Sequence, residues 1–313
     1  MAIELVDGRT DYESAARIVS SVLRWLTVEP ETIDHMRTTA TGYRDWLGLL
    51  DDQPVGFGSC SGSSRMGLEG THTASSVLLV LPSARHQGVG GALYRRISRY
   101  ARELGRSKLE MMAFADDADS AGFAAKHGFT VVSRAPALQL MLKDCPRPEV
   151  VLPRDLTLTS LAARPELARG VWETAVEAFA DIPYDGNTPM RPGAYEKFRA
   201  RYLAGPRFIP EATFVACSGD QVVGYGQLCW MSRSNGVGDH EMLAVRRGWR
   251  GKGVARALKA AQIAWALDNG LTELRTNNEE RNAPARAVNA HFPYTRLPDK
   301  LLYHGPCDMI DQH

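Results

Sequence analysis

The most informative stretch of the chain is Val245-Arg-Arg-Gly-Trp-Arg250-Gly-Lys-Gly253-Val-Ala255-Arg-Ala-Leu258. A predicted strand, Glu241-Met-Leu-Ala-Val, precedes its glycines, and a helix predicted from about Gly253 to Asp268 follows them. A strand that runs through a glycine turn directly into a helix leaves several backbone N–H groups without intrahelical partners, and the helix dipole adds partial positive charge there. The stretch therefore predicts an anion-binding turn.

The same stretch occurs a second time, 165 residues earlier in the chain. It reads Val80-x-x-x-x-Arg85-x-x-Gly88-Val-Gly90-x-Ala-Leu93, and the register continues downstream, where Gly105 corresponds to Gly270. Because one register holds at many separated points, the sequence predicts two copies of one domain. We place them at 1–145 and 150–313, with prolines 146 and 148 at the seam.

Length and charge agree with two domains and exclude one class of partner. At about 150 residues per domain, 313 residues predict about two domains. The 37 basic and 36 acidic residues divide almost evenly between the halves, so neither half has the basic excess of a duplex-DNA binder. The balance conceals one local basic patch around the second turn, with no acid from 246 to 267. Its members are Arg246, Arg247, Arg250, Lys252, Arg256 and Lys259.

Cysteine and histidine spacing give no sign of a metal site or a disulfide framework. The five cysteines are widely spaced, without a Cys-x-x-Cys pair, and the eight histidines have no His-Glu-x-x-His spacing. No run approaches the roughly 18 apolar residues of a membrane span, and the first residues include acids where a signal peptide would carry basic residues. We expect a cytoplasmic monomer or homodimer without a metal, a nucleic-acid partner or a membrane partner.

Periodicity predicts the same order of elements in both copies. In the second copy, helices are predicted at 165–180 and 194–203, and a hairpin turns at Gly219-Asp. In the first copy, a helix is predicted over 11–26 and a strand over 77–80. The apolar residues from Val89 to Leu104 have helical spacing and are predicted to belong to the core.

Other nucleotide motifs do not fit either turn. Gly88-x-Gly90-x-x-Leu93 lacks the third glycine of the dinucleotide fingerprint, and neither turn has the Gly-Lys-Ser/Thr of a phosphate loop. For either copy taken alone, glycines that merely serve strand–helix packing are the alternative.

The unit strand–Arg-x-x-Gly-x-Gly/Ala–helix resembles the acyl-CoA-binding motif of the GNAT superfamily of N-acetyltransferases. The order of elements resembles that family over nearly the whole chain, twice. The second copy adds Thr276-x-Asn278-x-x-x-Asn282 and, further on, Asn289, similar to the strand and helix that follow the turn in the family. The resemblance implies an α/β fold with two tandem domains and acetyl-CoA as co-substrate. Each mixed, mostly antiparallel sheet would be splayed, in the second copy between the strands near Val245 and Thr272.

The resemblance also implies which residues bind the coenzyme. The thioester arm would bond to the strand that ends at Val245, the pyrophosphate would lie on the amides of the turn, and Asn282 would contact the pantetheine arm. The implied residues are Leu243, Ala244, Val245, Arg250, Gly251, Lys252, Gly253, Val254, Ala255, Asn278, Asn282 and Asn289, with Val80, Arg85, Gly88 and Gly90 as the corresponding first-copy set.

Acetyl transfer to an amine needs a neutral nitrogen, so a base must remove a proton. In the family this base is often a carboxylate on the strand before the turn, which here is Glu241. With period two, Glu241 shares a face with Leu243 and Val245; the alternative is a solvated or ion-paired strand residue. The first copy has no carboxylate in the equivalent window, 75–79.

The family's usual general acid is a tyrosine, and neither copy has it. Its position falls on Ala124 in the first copy and Asn289 in the second, which leaves solvent or another residue such as Tyr294. The first copy also places Asp117 where the second has Asn282. We therefore expect the second copy to be catalytic and the first to be structural or substrate-shaping; the opposite assignment stays open, because the first turn is the cleaner match.

The acceptor would enter over the segment between the first two helices of the second copy. Asp181 and Asp185 could attract a cation there and Tyr184 could pack on it, although the loop could also be merely polar. The leading hypothesis is direct acetyl transfer from acetyl-CoA to a primary amine of a small molecule in a ternary complex. An acyl-CoA-binding sensor without turnover, and nucleic-acid binding through the basic patch, are the alternatives.

Overall fold

The chain forms two compact units in a computed structural model that describes residues 2–23, 26–62, 72–182 and 191–307. Unit 1 comprises Met1–Arg134 with Lys300–His313, and unit 2 comprises Ala135–Asp299. The units and the sequence copies divide the chain differently, because the last strand of each copy contributes to the other unit. A strand exchange of this kind cannot be read from the repeat, which records order along the chain and not partners in space.

The described part of unit 1 contains an antiparallel meander that ends in a parallel pair. The first four strands pair antiparallel in chain order, the fourth and fifth pair in parallel over Thr73–Ser75 and Lys108–Glu110, and the twelfth strand pairs antiparallel with the fifth. The strands are β1 (Ile3–Asp7), β2 (Arg44–Leu50), β3 (Gln53–Ser61), β4 (Thr73–Val80), β5 (Lys108–Phe114) and β12 (Thr295–Pro306), the last from residue 300.

The helices of unit 1 cover both faces of this sheet. They are α1 (Tyr12–Val22), α2 (Pro30–Thr39), α3 (Val89–Glu103) and α4 (Ala118–Lys126). Glycines let α3 approach the sheet closely, since a Cβ at Gly58 would lie 3.0 Å from Leu93 and 3.1 Å from Ile97. On the other face, Ile18 of α1 packs in a core with Leu47 and Phe57.

Unit 2 repeats this plan in its described residues. β7 to β10 pair antiparallel in order, β10 pairs with β11 in parallel, and β11 pairs antiparallel with β6. The elements are β6 (Thr130–Met141, from residue 135), β7 (Thr157–Ser160), α5 (Ala168–Phe179), α6 (Tyr195–Tyr202), β8 (Phe214–Ser218), β9 (Gln221–Ser232), β10 (Val237–Val245), α7 (Val254–Asp268), β11 (Glu273–Asn277) and α8 (Ala283–Asn289).

The predicted fold class is confirmed. The predicted hairpin is present, and a helix follows each glycine turn, as predicted. The boundaries differ by a few residues. The first helix ends at Val22 instead of Leu26, and the 165–180 helix starts with a 3-10 turn, Pro165–Leu167, because proline is tolerated only in a first turn. None of the helices in the described ranges is long and apolar enough to cross a membrane.

Candidate active site

The glycine turn of unit 2 has the backbone conformation that an anion site requires. Gly251 and Gly253 have φ values of +71° and +87°, a region that favours glycine. Gly253 is the N-cap of α7 and has no side chain to cap it, so the first N–H groups of the helix have no side-chain acceptor. Arg250 closes the turn by donating from Nε to the carbonyl of Val245 at 2.9 Å.

The space over this turn is open. A Cβ placed on Gly251 or Gly253 would meet no atom within 4 Å. Backbone N–H donors, a helix N-terminus and the Lys252 ammonium are the groups that bind phosphate oxygens. Among the described residues, no group of three or more histidines, cysteines or carboxylates could hold a metal ion.

Asp181 lies at the turn and is engaged by two of its arginines. Its carboxylate accepts from Arg247 and from Arg250, each at 2.7 Å. These hydrogen bonds, led by the one from Arg247, lower the pKa of Asp181 to about 2. Asp181 thus neutralises part of the basic patch. Tyr184 and Asp185, the other predicted substrate residues, lie outside the described residues.

The splay implied by the family resemblance is present. β10 and β11 pair only from Val237 to Asp239, opposite Glu273 to Arg275, and then separate. Leu243, Ala244 and Val245 follow this last pair, so their edge towards β11 is not closed by that strand. Backbone groups on an open edge can bond to an extended ligand.

A β-bulge at Glu241 interrupts β10. The register towards β9 shifts between His240, opposite Leu228, and Met242, opposite Gln227, so Glu241 is the extra residue. Leu243 and Val245 pack under α7 with Val254 and Leu258. The side chain of Glu241 does not lie on the face of the sheet that α7 covers. The prediction that it shares a face with Leu243 and Val245 is therefore wrong, because the bulge breaks the period of two.

Glu241 instead faces the side of α6. Its carboxylate lies 3.7 Å from the guanidinium of Arg207, and both side chains are about one-third exposed, at 32% and 34%. The carboxylate also lies close enough to Tyr202, at the end of α6, to help raise the pKa of that buried phenol, which is raised mainly by burial. An exposed carboxylate at a bulge, beside a splayed edge, can accept a proton from a bound amine.

The three predicted asparagines have different surroundings. Asn282 caps α8, and its Oδ1 accepts from the Ala285 N–H at 3.3 Å. Asn278 follows β11 and is half-buried, while Asn289 is buried and donates from Nδ2 to Asn278 Oδ1 at 2.6 Å. Asn289 thus joins the end of β11 to α8.

A buried polar cluster next to these asparagines was missed by the sequence analysis. Lys259 of α7 donates to Asn289 Oδ1 and lies 5.1 Å from the ring centre of Tyr294. Tyr294 pairs with His240 Nε2 at 2.7 Å, and His240 Nδ1 pairs with Gln262 at 2.9 Å. Assigning Lys259 to the surface patch is wrong, since it is 2% exposed. The apolar run around it in α7 was the available signal for burial.

Burial suppresses the charge of His240 and Tyr294. It lowers the pKa of His240 well below its ordinary value, and Lys259 adds to this effect. It raises the pKa of Tyr294 well above that of a free phenol. A neutral His240 that donates from Nδ1 to Gln262 Oε1 can only accept at Nε2, so the Tyr294 hydroxyl proton is directed to His240.

The first-copy turn keeps the left-handed glycine conformation, but its arginine is ion-paired with two aspartates. Gly88 has φ +90°, and Arg85 lies 2.6 Å from Asp119 and 3.7 Å from Asp117. A Cβ at Gly90 would lie 3.4 Å from Phe123 of α4. From Ser75 to Val80, β4 pairs with β3 without a register shift, so this described part of unit 1 has no bulge where β10 has one.

Comparison with known proteins shows the family of this chain. The model of the acetyltransferase (GNAT) family matches the chain twice, at residues 16–129 and 177–291. The chain belongs to the acetyltransferase (GNAT) family. Both matches contain a glycine turn, so the resemblance carried by those residues is confirmed for both copies.

The chain is also similar to curated relatives and to solved structures. It is 28% identical over 235 residues to the mycothiol acetyltransferase of Thermomonospora curvata, covering 74% of each chain. It is 29% identical over 268 residues to the mycothiol acetyltransferase of Geodermatophilus obscurus, covering 82% of this chain and 80% of the relative. The structure of a tandem GNAT protein from the clavulanic acid biosynthesis pathway superposes with a TM-score of 0.75 at 17% identity, covering 99% of this chain and 100% of that one.

The family and these relatives make the chain an acyltransferase whose reaction class is acetyl transfer. Acetyl-CoA is the donor that the family uses. The solved structure supports the fold alone.

Proposed function

We propose that the second copy, 150–313, transfers the acetyl group of acetyl-CoA to a primary amine of a small molecule by direct transfer in a ternary complex. The observation that carries the proposal is the bulge at Glu241. It lies on the strand that leads into the open glycine turn, and unit 1 has neither the bulge nor a carboxylate at that position.

The turn would hold the coenzyme by its phosphates. The amides of Gly251 to Ala255 and the cations Arg250 and Lys252 supply the donors, and the edge from Leu243 to Val245 would bond to the arm. Asn282 and Asn278 follow on the other side of the splay. When bound, acetyl-CoA supplies the activated acyl group.

Glu241 would act as the base. An alkyl ammonium has a pKa near 10.4, so the acceptor arrives charged, and the carboxylate of Glu241 would take its proton directly or through water. Backbone amides freed from the ladder by the bulge and the splay would stabilise the oxyanion that develops on the thioester carbonyl oxygen. Its collapse would break the C–S bond, and the departing CoA thiolate would take a proton from solvent. The acceptor would then approach from the side of α6, which is the side that Glu241 faces.

The first copy would support the fold and shape the acceptor site. Its Arg85 is neutralised by Asp117 and Asp119, and an acid there repels an anionic coenzyme. The relatives, which are mycothiol acetyltransferases, support a small-molecule acceptor.

Steady-state kinetics with acetyl-CoA and a panel of primary amines would test the proposal. Glu241→Gln should lower kcat by about 10²-fold or more, the usual contribution of a general base. Glu196→Gln, which changes an exposed carboxylate of α6, is the matched control and should leave kcat unchanged. Wild-type kinetics in Glu241→Gln would show that another group is the base.

A further inference from the structure

Three side chains form a continuous hydrogen-bonded chain from the middle of α7 to the end of β11. Lys259 Nζ donates to Asn289 Oδ1, and Asn289 Nδ2 donates to Asn278 Oδ1 at 2.6 Å. Lys259 and Asn289 are almost completely buried, whereas Asn278 is half-buried and follows β11 where that strand has separated from β10. The chain therefore starts in the core and ends at the splay.

The direction of this chain is fixed by its first member. An ammonium has three donors and no acceptor, so Asn289 must turn its oxygen towards Lys259. Its nitrogen then faces Asn278, which must present its own oxygen in turn. Asn278 Nδ2 is left as a donor, and within the described ranges it makes no hydrogen bond, whereas its Oδ1 is occupied by Asn289. Successive bonds of one polarity strengthen one another, and most so when the first donor is charged.

The first copy has none of the three residues of this hydrogen-bonded chain. At the offset of 165, Lys259 corresponds to Tyr94, and both asparagines correspond to alanines, Ala113 and Ala124. Tyr94 is buried and donates from its hydroxyl to the carbonyl of Pro306 at 2.8 Å. The chain of hydrogen bonds is thus confined to the unit that also has the bulge and the open turn.

Lys259 is the group of the cluster that titrates near neutral pH. Burial lowers the pKa of Lys259 to about 7, while the carboxylate of Asp239 on β10 acts in the opposite direction. His240, also on β10, stays neutral, and Tyr294 stays protonated; Cys145, near Tyr294, has a raised pKa because it is partly buried. From α8, the contact is the uncharged Asn289.

We propose that Lys259 is a positioning residue for acyl-CoA: through Asn289 it orients Asn278, so that Asn278 Nδ2 donates to a carbonyl oxygen of the acyl-pantetheine arm. Its charge strengthens that donor and attracts the anionic coenzyme. The inference rests on the proposed function, since it takes unit 2 as the acyl-CoA site. It follows that acetyl-CoA binds more tightly when Lys259 is protonated.

Calorimetric titration of the full-length protein with acetyl-CoA from pH 6.5 to 9 would test this without turnover. In the wild type, we expect Kd to rise about tenfold across this range, the ratio that follows if the bound arm raises the pKa of Lys259 by about one. In Lys259→Gln, which can still donate to Asn289 but carries no charge, Kd should be high and should lose the tenfold change with pH that the titration of Lys259 contributes. Asn289→Leu, which breaks the chain, should weaken binding and reduce the pH dependence.

Tyr294→Phe is the matched control, because it removes a hydroxyl from the same cluster and leaves Lys259 and its partners in place. It should retain the wild-type pH dependence of Kd. The ionisation of the coenzyme phosphates affects all variants equally and cancels in the comparison. Thermal unfolding of each variant shows that it is folded at the titration temperature.

The outcomes separate this inference from the proposed function. The same pH dependence of Kd in Lys259→Gln and in the wild type overturns the role of Lys259 while leaving unit 2 as the coenzyme site. An unchanged Kd in Asn289→Leu overturns the relay to Asn278. No acetyl-CoA binding by the wild type at any pH contradicts the proposed function itself.

Discussion

Asn282 and Asp117 occupy the same place in their units, and each caps the helix that follows the fifth strand of its copy. Asn282 Oδ1 accepts from the Ala285 N–H at 3.3 Å, and Asp117 Oδ1 accepts from the Ser120 N–H at 3.1 Å. Both copies therefore have the helix cap, but only the first copy has a negative charge there. In unit 1 this charge lies 3.7 Å from Arg85, the arginine of the glycine turn.

The difference between the two caps predicts that structure and coenzyme binding can be separated at Asn282. Asn282→Asp keeps a good N-cap, so the stability of the protein should stay within about 0.5 kcal/mol of wild type. The new negative charge should weaken acetyl-CoA binding several-fold. Asn282→Ala should lose about 1 kcal/mol of stability as well as coenzyme contact. Urea unfolding and acetyl-CoA titration of the same preparations measure both; equal Kd values for Asn282→Asp and wild type would contradict the expected contact.

The conformation of Gly253 predicts a cost for any side chain at that position. Its φ is +87° and an added Cβ would meet no atom within 4 Å, so Gly253→Ala should destabilise unit 2 by about 1 to 2 kcal/mol through backbone strain alone. The methyl group and the altered turn should also weaken acetyl-CoA binding at least tenfold. Gly248→Ala, in the same loop but without a positive φ, is the matched control and should change neither quantity.

The glycine turns show how much of this fold could be predicted from residues. Gly88 and Gly253 could be recognised because a left-handed N-cap restricts the residue type, and the restriction appears in the sequence twice. The bulge at Glu241 could not be recognised. It depends on the pairing of β10 with β9, and any residue can occupy it, so strict alternation assigned Glu241 to the wrong face.

Lys259 shows a second limit of the sequence analysis. A lysine near other basic residues is normally exposed, and the repeat alone could not show that α7 is buried almost all round. Its burial depends on partners from three other segments, Asp239, Asn289 and Tyr294, which come together only in the fold.

Asp181 provides a test between two roles for one carboxylate. If it recognises the amine, Asp181→Asn should raise the KM of the amine. Because the carboxylate is already paired with Arg247 and Arg250, we expect the substitution to affect the binding of acetyl-CoA and not the KM of the amine. Removal of the negative charge should lower the Kd of acetyl-CoA a few-fold at low salt and leave the KM of the amine within a factor of two. Glu166→Gln, an exposed carboxylate of unit 2 paired with Arg164, serves as the control.

The close packing of Gly305 against Phe129 allows a test of the position of β12 in unit 1. A Cβ at Gly305 of β12 would lie 2.3 to 2.5 Å from the ring of Phe129, closer than any real contact. Gly305→Ala should therefore destabilise unit 1 by about 1 to 3 kcal/mol. Adding Phe129→Leu, which removes the ring, should recover part of this loss. Additive effects in the double variant, measured by urea unfolding, would contradict the contact.

The buried ammonium of Lys259 makes the free energy of unfolding depend on pH. In the native protein its pKa is about 7, against an ordinary value of 10.5 for a lysine. Between these values the unfolded chain binds the proton and the native protein does not, so stability rises with pH through this window. The cost of burying the charge is fully present below pH 7. The two values correspond to an upper limit of roughly 5 kcal/mol, reduced in practice by the bond to Asn289.

Lys259→Met should therefore be more stable than the wild type at pH 6, by a margin that shrinks towards pH 10. Urea unfolding of both proteins at pH 6, 8 and 10 measures this margin. Lys126→Met, at an exposed position of α4, is the control and should show no such trend. A margin that stays constant from pH 6 to pH 10 would mean that Lys259 does not titrate in this window. A stability gain together with weaker acetyl-CoA binding would show that the buried charge is retained for the coenzyme and not for the fold.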